Sequence, residues 1–149
     1  MSLQLEYFMK VIVDVATPIE VGRTPEGLLR IIPIVGGTFE GPRIRGSVIN
    51  GGADWNLQRS DGIRKAWARY TLKTDDEVLI SVTNEGFIYT PNLSQANQAP
   101  VDPGAYYART SPRFLVADDK YAWINNSIFV GSLMKGVDDK VHLEFYQVI

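Results

Sequence analysis

Ala68-Arg69-Tyr70-Thr71-Leu72-Lys73 is the stretch of sequence that decides the fold, because apolar or aromatic side chains alternate in it with charged or hydroxylated ones. Successive side chains of a β-strand point to opposite faces, so this stretch lines two surfaces at once. The same kind of segment recurs at Val78–Thr83, Tyr106–Thr110 and Tyr121–Asn125. One surface can be a core, and the other presents Arg, Tyr, Trp and Asn together. The pattern predicts a small β-barrel or sandwich with a polar-aromatic cavity.

The rest of the chain repeats this strand pattern between turn residues. Alternation at Tyr7–Val15 and Lys140–Ile149 predicts a first and a last strand, which we expect to pair with each other. Arg43–Ile49 and Ala53–Arg59 are predicted as two separate strands, and Tyr121–Gly131 as another. About nine short strands with few helices are typical of an all-β protein, here a single closed antiparallel β-barrel of about eight to ten strands.

One segment departs from the strand pattern. Pro91–Ala105 contains three prolines with Asn, Gln and Ala between them. We predict a long loop here, with at most one short helix over Asn92–Ala99. Loops of this length in compact domains are typically lids or binding loops, so we expect this one to border the cavity.

Composition limits the functional classes. The 149 residues are enough for one domain, predicted over residues 1–149, and a formal net charge of −2 without basic runs argues against nucleic acid as a partner. No stretch reaches the roughly 20 apolar residues of a membrane helix, and no basic segment followed by an apolar run opens the chain, so we expect a cytoplasmic protein without membrane contact. With no cysteine and one histidine, His142, we expect neither a metal site nor a cofactor.

Three blocks of sequence, taken in order, resemble a known family. They are Gly36–Pro42 running on to Gly51–Trp55, then Ala68–Leu72, then Tyr107–Phe114 with Tyr121–Asn125. They resemble the domain-of-unknown-function family 3237, small bacterial and fungal proteins of about this length. The resemblance covers nearly the whole chain and implies a single closed antiparallel β-barrel. It implies no activity and no catalytic residue.

Two residues are candidates for catalysis. Asp54 follows a glycine pair, where the backbone can approach a ligand closely, and it is either a proton acceptor at the barrel mouth or a cap of its own turn. Arg109 shares a face with Tyr107 and Ser111, which favours a pocket over a solvated surface. A guanidinium group inside a barrel needs a carboxylate partner or an anionic ligand. We therefore predict Asp54 as a base and Arg109 as the group that holds an anionic or carbonyl oxygen.

Further polar and aromatic side chains are candidates for binding a ligand. They are Glu40, Arg45, Trp55, Arg69, Tyr107, Trp123 and Asn125. An aromatic ring beside an amide, as at Trp123 and Asn125, is a common pocket lining, although a core tryptophan and an asparagine at a bend explain that pair equally well. We predict that Arg109, Asp54 and Trp123 converge with their aromatic neighbours at one end of the barrel.

Three functions remain open from the sequence. The first is an enzyme that binds a small organic ligand and works by proton transfer, as an isomerase or cyclase, with a carboxylate base and Arg or Tyr polarising an oxygen. The second is a binding module without catalysis, and the third is a homo-oligomer whose polar face is an interface. Inward-facing candidates would favour the first two functions, and outward-facing candidates would favour the third.

Overall fold

Pairing between the first and last strands closes the sheet into a barrel, as the alternation at both ends of the chain predicts. The computed structural model describes residues 1–90, 106–136 and 138–149. Its strands are β1 Leu5–Val15, β2 Ile19–Thr24, β3 Gly27–Glu40, β4 Arg45–Gln58, β5 Arg64–Thr74, β6 Leu79–Tyr89, β7 Tyr107–Val116, β8 Ile128–Lys135 and β9 Val141–Val148, and a 3₁₀ helix, Asp119–Asn126, lies between β7 and β8.

The ring of strands runs β1-β9-β8-β7-β6-β5-β4-β3 and returns from β3 to β1. Neighbouring strands are antiparallel, and β2 pairs with β3 outside the closed ring. The predicted all-β antiparallel barrel is therefore confirmed. The predicted loop Pro91–Ala105 and the helix predicted within it lie outside the described residues.

The two strands predicted at Arg43–Ile49 and Ala53–Arg59 are one continuous strand, β4. Ile49 pairs with Thr71 and Ala53 with Arg69, so β4 takes four residue steps where β5 takes two. Gly51, with φ +126°, adopts the backbone conformation that this bulge requires and that other residues avoid. Because the bulge adds an even number of residues, the side chains on either side of it keep the same alternation between inside and outside.

The prediction of a strand over Tyr121–Gly131 is wrong for its first half, which forms the 3₁₀ helix. The Asp118 carboxylate caps this helix by accepting a hydrogen bond from the Lys120 N–H at 2.8 Å. Tyr121 and Ile124 are buried three residues apart, and three residues make one turn of a 3₁₀ helix. Buried residues therefore recur every three positions here, as in a 3₁₀ helix, and not every two positions, as in a strand. Trp123 and Asn125 consequently do not share a strand face.

The 3₁₀ helix covers one end of the barrel interior, which we call the apolar end. Inside it, the rings of Phe8 and Phe114 lie 5.8 Å apart and those of Phe8 and Phe129 5.0 Å apart, while the Trp123 ring lies 5.5 Å from Phe8. Phe8 is an extra residue of β1, because Tyr7 and Met9 on either side of it pair with consecutive residues of β9. This bulge turns the Phe8 side chain inward, where it is buried. Burial of several aromatic rings makes this end the main hydrophobic core.

A set of polar contacts joins the 3₁₀ helix to the turn between β5 and β6. Asp76 accepts hydrogen bonds from the Lys120 ammonium group at 2.7 Å and from the Tyr121 hydroxyl at 2.9 Å. Hydrogen bonds from the Lys120, Thr74 and Tyr121 side chains hold the pKa of Asp76 well below its ordinary 3.8. The ionised carboxylate therefore favours the folded state.

Replacing Asp76 tests this contact. We expect Asp76→Asn to lower the melting temperature at neutral pH. A carboxyl group with a lowered folded-state pKa stabilises the protein above its unfolded pKa, and this stabilisation is lost as the pH falls towards the folded pKa. The difference in melting temperature between the wild type and the variant should therefore shrink as the pH falls below about 4.

The matched control is Asp75→Asn, which removes an exposed ion pair with Arg45 and should change stability little. Thermal unfolding followed by circular dichroism across pH makes the comparison. An equal effect of both substitutions, or a difference that grows in acid, would contradict the assigned role of Asp76.

Candidate functional site

The other end of the barrel interior is lined by polar side chains, and we call it the polar end. Asp54 pairs with Ala68 and Ala68 with Asn84, and antiparallel partners share a face of the sheet. Ala68 packs against the hydrophobic core, so this face is the inner one. The polar side chains on the inner face here are Arg30, Asp54, Asn56, Arg64, Tyr70, Asn84 and Thr110.

Small residues at neighbouring inner positions limit how far side chains fill this end. They are Ala66, Ala68, Gly86, Ala108 and Gly131. A Cβ atom on Gly131 would lie 2.6 Å from the Thr110 hydroxyl oxygen and 2.7 Å from the Phe145 ring, so Thr110 and Phe145 already fill the space in front of this glycine. The interior of an eight-stranded barrel is just wide enough for its side chains or for one small ligand, so the three alanines, rather than the glycines, favour the ligand.

Asp54 is fixed by two hydrogen bonds. Its Oδ1 accepts from the Trp67 backbone N–H at 2.9 Å, where the register of β4 with β5 skips Trp55 and Asn56. Its Oδ2 accepts from the Asn56 side-chain amide at 3.1 Å. Burial raises the pKa of Asp54 above its usual 3.8, and these hydrogen bonds together with the charges of Arg30 and Arg64 offset only part of that effect. Asp54 is thus an oriented carboxylate with increased basicity.

Several buried polar atoms around Asp54 have no hydrogen-bond partner in the described part of the chain. They are Asn56 Oδ1, Tyr70 Oη, Asn84 Oδ1 and Thr110 Oγ1, on side chains that are at most 5% exposed. Burying such atoms without a partner costs free energy, and clusters of them mark functional positions or bound water. Burial also raises the pKa of Tyr70, which keeps its hydroxyl neutral and able to donate.

Apolar residues face this polar cluster from the opposite side of the ring. Val11, Val13 and Leu143 belong to the hydrophobic core, with Leu133 and Val141 packed against it. They lie on β1, β8 and β9, whereas the polar cluster lies on β3 to β7. The interior is therefore amphipathic, which is typical of sites for small organic molecules.

The alternation of β7 separates the two residues predicted to be catalytic. Ala108 and Thr110 are buried and inward, so Arg109 between them lies on the outer wall, exposed. Its guanidinium donates to the Ala108 carbonyl at 3.0 Å and lies 5.7 Å from the centre of the Tyr107 ring. Asp54 is inside the barrel, so the predicted convergence of Arg109 with Asp54 is wrong.

The predicted binding residues also lie apart from Asp54. Trp55 and Arg69 are exposed on the outer wall, where the Trp55 ring packs against Trp67 at 5.5 Å. Arg45 and Glu40 are exposed and pair with each other across β3 and β4, and Arg45 forms an ion pair with Asp75 at 3.1 Å. None of these four side chains faces the polar end.

Trp123 and Asn125 have structural contacts at the apolar end. The guanidinium carbon of Arg43 lies 3.9 Å from the centre of the Trp123 ring, whose other neighbours are core phenylalanines. The Asn125 side chain accepts from the Val116 N–H at 2.9 Å and donates to the Val116 carbonyl at 2.8 Å. Asn125 thus completes the backbone hydrogen bonding at the end of β7.

The sequence did not predict most of the residues that line the polar end. Arg30, Asn56, Arg64, Asn84 and Thr110 were not among the candidates, because the face rich in arginine and aromatic residues was taken as the cavity. A usable signal exists in β5, where counting back in steps of two from Tyr70 passes Ala68 and Ala66 and reaches Arg64. Small residues on one face of a barrel strand indicate space inside.

The outer wall carries an open groove of about 900 Å³ around Arg109. Exposed apolar side chains, Leu5, Phe87 and Tyr107, line it together with Lys65, Glu85, Ser132 and Tyr146. The Tyr146 hydroxyl donates to the Glu144 carboxylate at 2.8 Å. This groove is a second candidate surface, separated from the polar end by the thickness of the sheet.

Residues 1–90, 106–136 and 138–149 contain no cluster of three or more His, Cys, Asp or Glu side chains that could hold a metal ion. Within the same residues, no helix has both the length and the apolar character needed to span a membrane.

The fold and the interior define the class of this protein: an eight-stranded antiparallel barrel with one apolar and one polar end. The family model for "Protein of unknown function (DUF3237)" matches residues 3–148, and the chain belongs to this family, as the sequence blocks predicted. A UPF0311 protein of Rhodopseudomonas palustris strain TIE-1 is 32% identical over 151 residues, covering 99% of this chain and 98% of the relative.

Solved structures share the fold. A β-barrel-like protein of Acinetobacter baumannii is 36% identical, with a TM-score of 0.90 over 100% of this chain and 98% of the other. An enzyme from Penicillium herquei is 21% identical, with a TM-score of 0.77 over 100% and 96% of the two chains, which shows likeness of fold alone.

The raised pKa of Asp54 predicts a stability effect. A carboxyl group whose folded-state pKa is raised stabilises the protein below its unfolded pKa, and this stabilisation is lost as the pH rises through the folded pKa. Asp54→Asn removes the buried charge, and its amide oxygen can still accept from Trp67. The new amide group then faces the Asn56 amide, which must flip so that its oxygen, without a partner in the described residues, accepts the hydrogen bond. We expect the variant to unfold at a higher temperature than the wild type at about pH 8.

The stability that Asp54→Asn gains over the wild type should shrink as the pH falls. Each unit of pKa shift changes the free energy of unfolding by about 1.4 kcal/mol. Chemical denaturation across pH measures it, with Asp119→Asn, an exposed residue of the 3₁₀ helix, as control. A loss of stability in Asp54→Asn at every pH would show that the Asp54 carboxylate is a structural anchor instead.

Proposed function

We propose that the polar end of the barrel binds a small organic molecule and that Asp54 transfers a proton to and from it. The observation that carries this proposal is the buried carboxylate of Asp54, oriented by Trp67 and Asn56 on an inner face that also carries polar atoms without partners in the described residues. A general base acts best when its pKa lies near the working pH, and burial moves the pKa of Asp54 in that direction.

The groups around Asp54 suit isomerase or cyclase chemistry. The carboxylate takes a proton from a C–H group next to a carbonyl, or from a hydroxyl, and returns it at another atom of the same ligand. The electron pair left behind develops charge on an oxygen, and the Tyr70 hydroxyl and the Asn84 amide are the donors that would stabilise it. Asn56 positions Asp54 through their hydrogen bond.

The similar proteins support this proposal only at the level of the fold. The Penicillium herquei neighbour is described as an enzyme, so a barrel of this shape is compatible with catalysis. Its 21% identity transfers no residue role to this chain. The role of Asp54 rests on its own environment.

Exchange of acidic C–H protons in deuterated water tests the proposal without a known substrate. We expect the wild type to accelerate exchange in at least one member of a panel of small ketones and enols, followed by proton NMR. Asp54→Asn should remove about 10²–10⁴-fold of the acceleration, which is the usual contribution of a general base. Asp61→Asn, an exposed control, should retain it.

Each result separates the functions left open by the sequence. Exchange that survives in Asp54→Asn would contradict the role of Asp54. Binding at the polar end without any exchange by the wild type would favour the binding module over the enzyme.

The outer groove favours a second function for another part of the surface, self-association. Leu5, Phe87 and Tyr107 are between 40% and 58% exposed and line the same groove. Exposed apolar side chains rimmed by charges of both signs, here Lys65 and Glu85, are typical of protein interfaces. We propose that this groove docks a second copy of the chain.

Light scattering after gel filtration tests self-association. We expect an oligomer for the wild type and a lower mass for Arg109→Glu, because reversing the charge at the centre of the groove disfavours docking. Arg113→Glu, also exposed on the outer face of β7 but outside the groove lining, is the control. A monomeric wild type at high concentration would contradict the proposal.

A further inference from the structure

The polar end carries more positive than negative charge. In the described part of the chain, the inner face of the closed ring holds two guanidinium groups, Arg30 and Arg64, and one carboxylate, Asp54. Glu20, the register partner of Arg30, is exposed on β2 outside the ring. The described ion pairs include none between Asp54 and either arginine. A partly buried guanidinium group without a pairing anion is costly, because charge taken out of water must be compensated.

Arg64 is the less compensated of the two arginines. Its register partners are Gln58 and Ile88, which carry no charge, and its Nε is buried without a hydrogen-bond partner in the described residues. Burial lowers the pKa of Arg64 below its usual 12.5, and the like charge of Arg30 adds to this effect, while the charge of Asp54 offsets only part of it. An arginine nevertheless stays charged at neutral pH. An anion at this position would satisfy both the charge and the free N–H group.

Arg30 lies close to Arg64 at the polar end. It pairs with Asn56, the residue that positions Asp54, and its charge acts on both Asp54 and Arg64. The planar fork of a guanidinium group matches the two oxygens of a carboxylate, which it binds through paired hydrogen bonds. The apolar residues Val13 and Val141 on the opposite side of the ring offer a surface for a hydrocarbon body.

We propose that the ligand of the polar end is a small organic acid whose carboxylate is bound by Arg64 and Arg30. Its apolar part packs against the valine and leucine side chains of β1, β8 and β9, and its reacting atom lies towards Asp54. This inference rests on the proposed interior site and adds the chemical class of the ligand. The arginines serve in binding, so they are distinct from Asp54, which acts on the proton.

Amide NMR spectra recorded with benzoate and with benzamide test the inference, since the two probes have the same shape and differ in charge. The backbone N–H of Trp67, bonded to Asp54, and the side-chain amides of Asn56 and Asn84 report on the polar end. We expect benzoate to shift these signals in a saturable way and benzamide to bind at least about tenfold more weakly, a difference of about 1.4 kcal/mol.

Substitution of Arg64 provides the second part of the test. Arg64→Gln should weaken benzoate binding about tenfold or more and leave benzamide unchanged. Arg69→Gln is the matched control, because Arg69 is exposed on the outer face of the same strand. Circular dichroism and melting temperature check folding, which Arg64→Gln should retain because it removes a charge without an ion-pair partner in the described residues.

The outcomes distinguish this inference from the proposed function. Equal binding of benzoate and benzamide at the polar end, unaffected by Arg64→Gln, would overturn the inference and leave an interior site for neutral ligands. Benzoate shifts confined to the outer groove, or no saturable shift of the three reporters with either probe, would overturn both. Loss of benzoate binding in Arg69→Gln would also overturn the assignment to Arg64.

Discussion

Closure of the sheet through β1 is the constraint on which the rest of the structure depends. β1 hydrogen-bonds to β9 along one edge and to β3 along the other, so each strand of the ring β1-β9-β8-β7-β6-β5-β4-β3 has a neighbour on both sides. Once the ring is closed, every strand residue points either inside or outside, and neighbouring strands must agree on which. Arg109 is on the outer wall for this reason alone, since both of its neighbours in sequence point inward.

Closure also allows the interior to be divided along the barrel axis. Large apolar side chains, with Phe8 and Phe129 among them, fill the end beneath the 3₁₀ helix. The other end has alanine at inner positions of β5 and β7, which leaves polar side chains room around Asp54. The two ends therefore differ in chemistry, since the first provides hydrophobic stabilisation and the second holds buried polar groups.

The fold could be predicted from the sequence because it depends on local alternation, which a strand shows residue by residue. The 3₁₀ helix was mistaken for a strand because Tyr121–Asn125 alternates as well as repeating every three residues, and only burial by the core distinguishes the two periods. Asp54 was selected for its glycine neighbours as a base at the barrel mouth or a cap of its own turn, and the structure places its side chain on the inner face. The partners of Asp54 were missed because inside and outside cannot be assigned until the ring is closed.

The polar end is difficult to explain as a purely structural feature. Asn56, Asn84 and Thr110 are almost fully buried, with side-chain oxygens that lack partners in the described residues, and apolar residues of similar size would pack there without that cost. Asp54 adds a carboxylate whose pKa burial raises, so its ionised form opposes folding at neutral pH. Active sites often retain such destabilising groups because the same groups bind and polarise a ligand. The aromatic core at the other end supplies the stability that lets the barrel retain them.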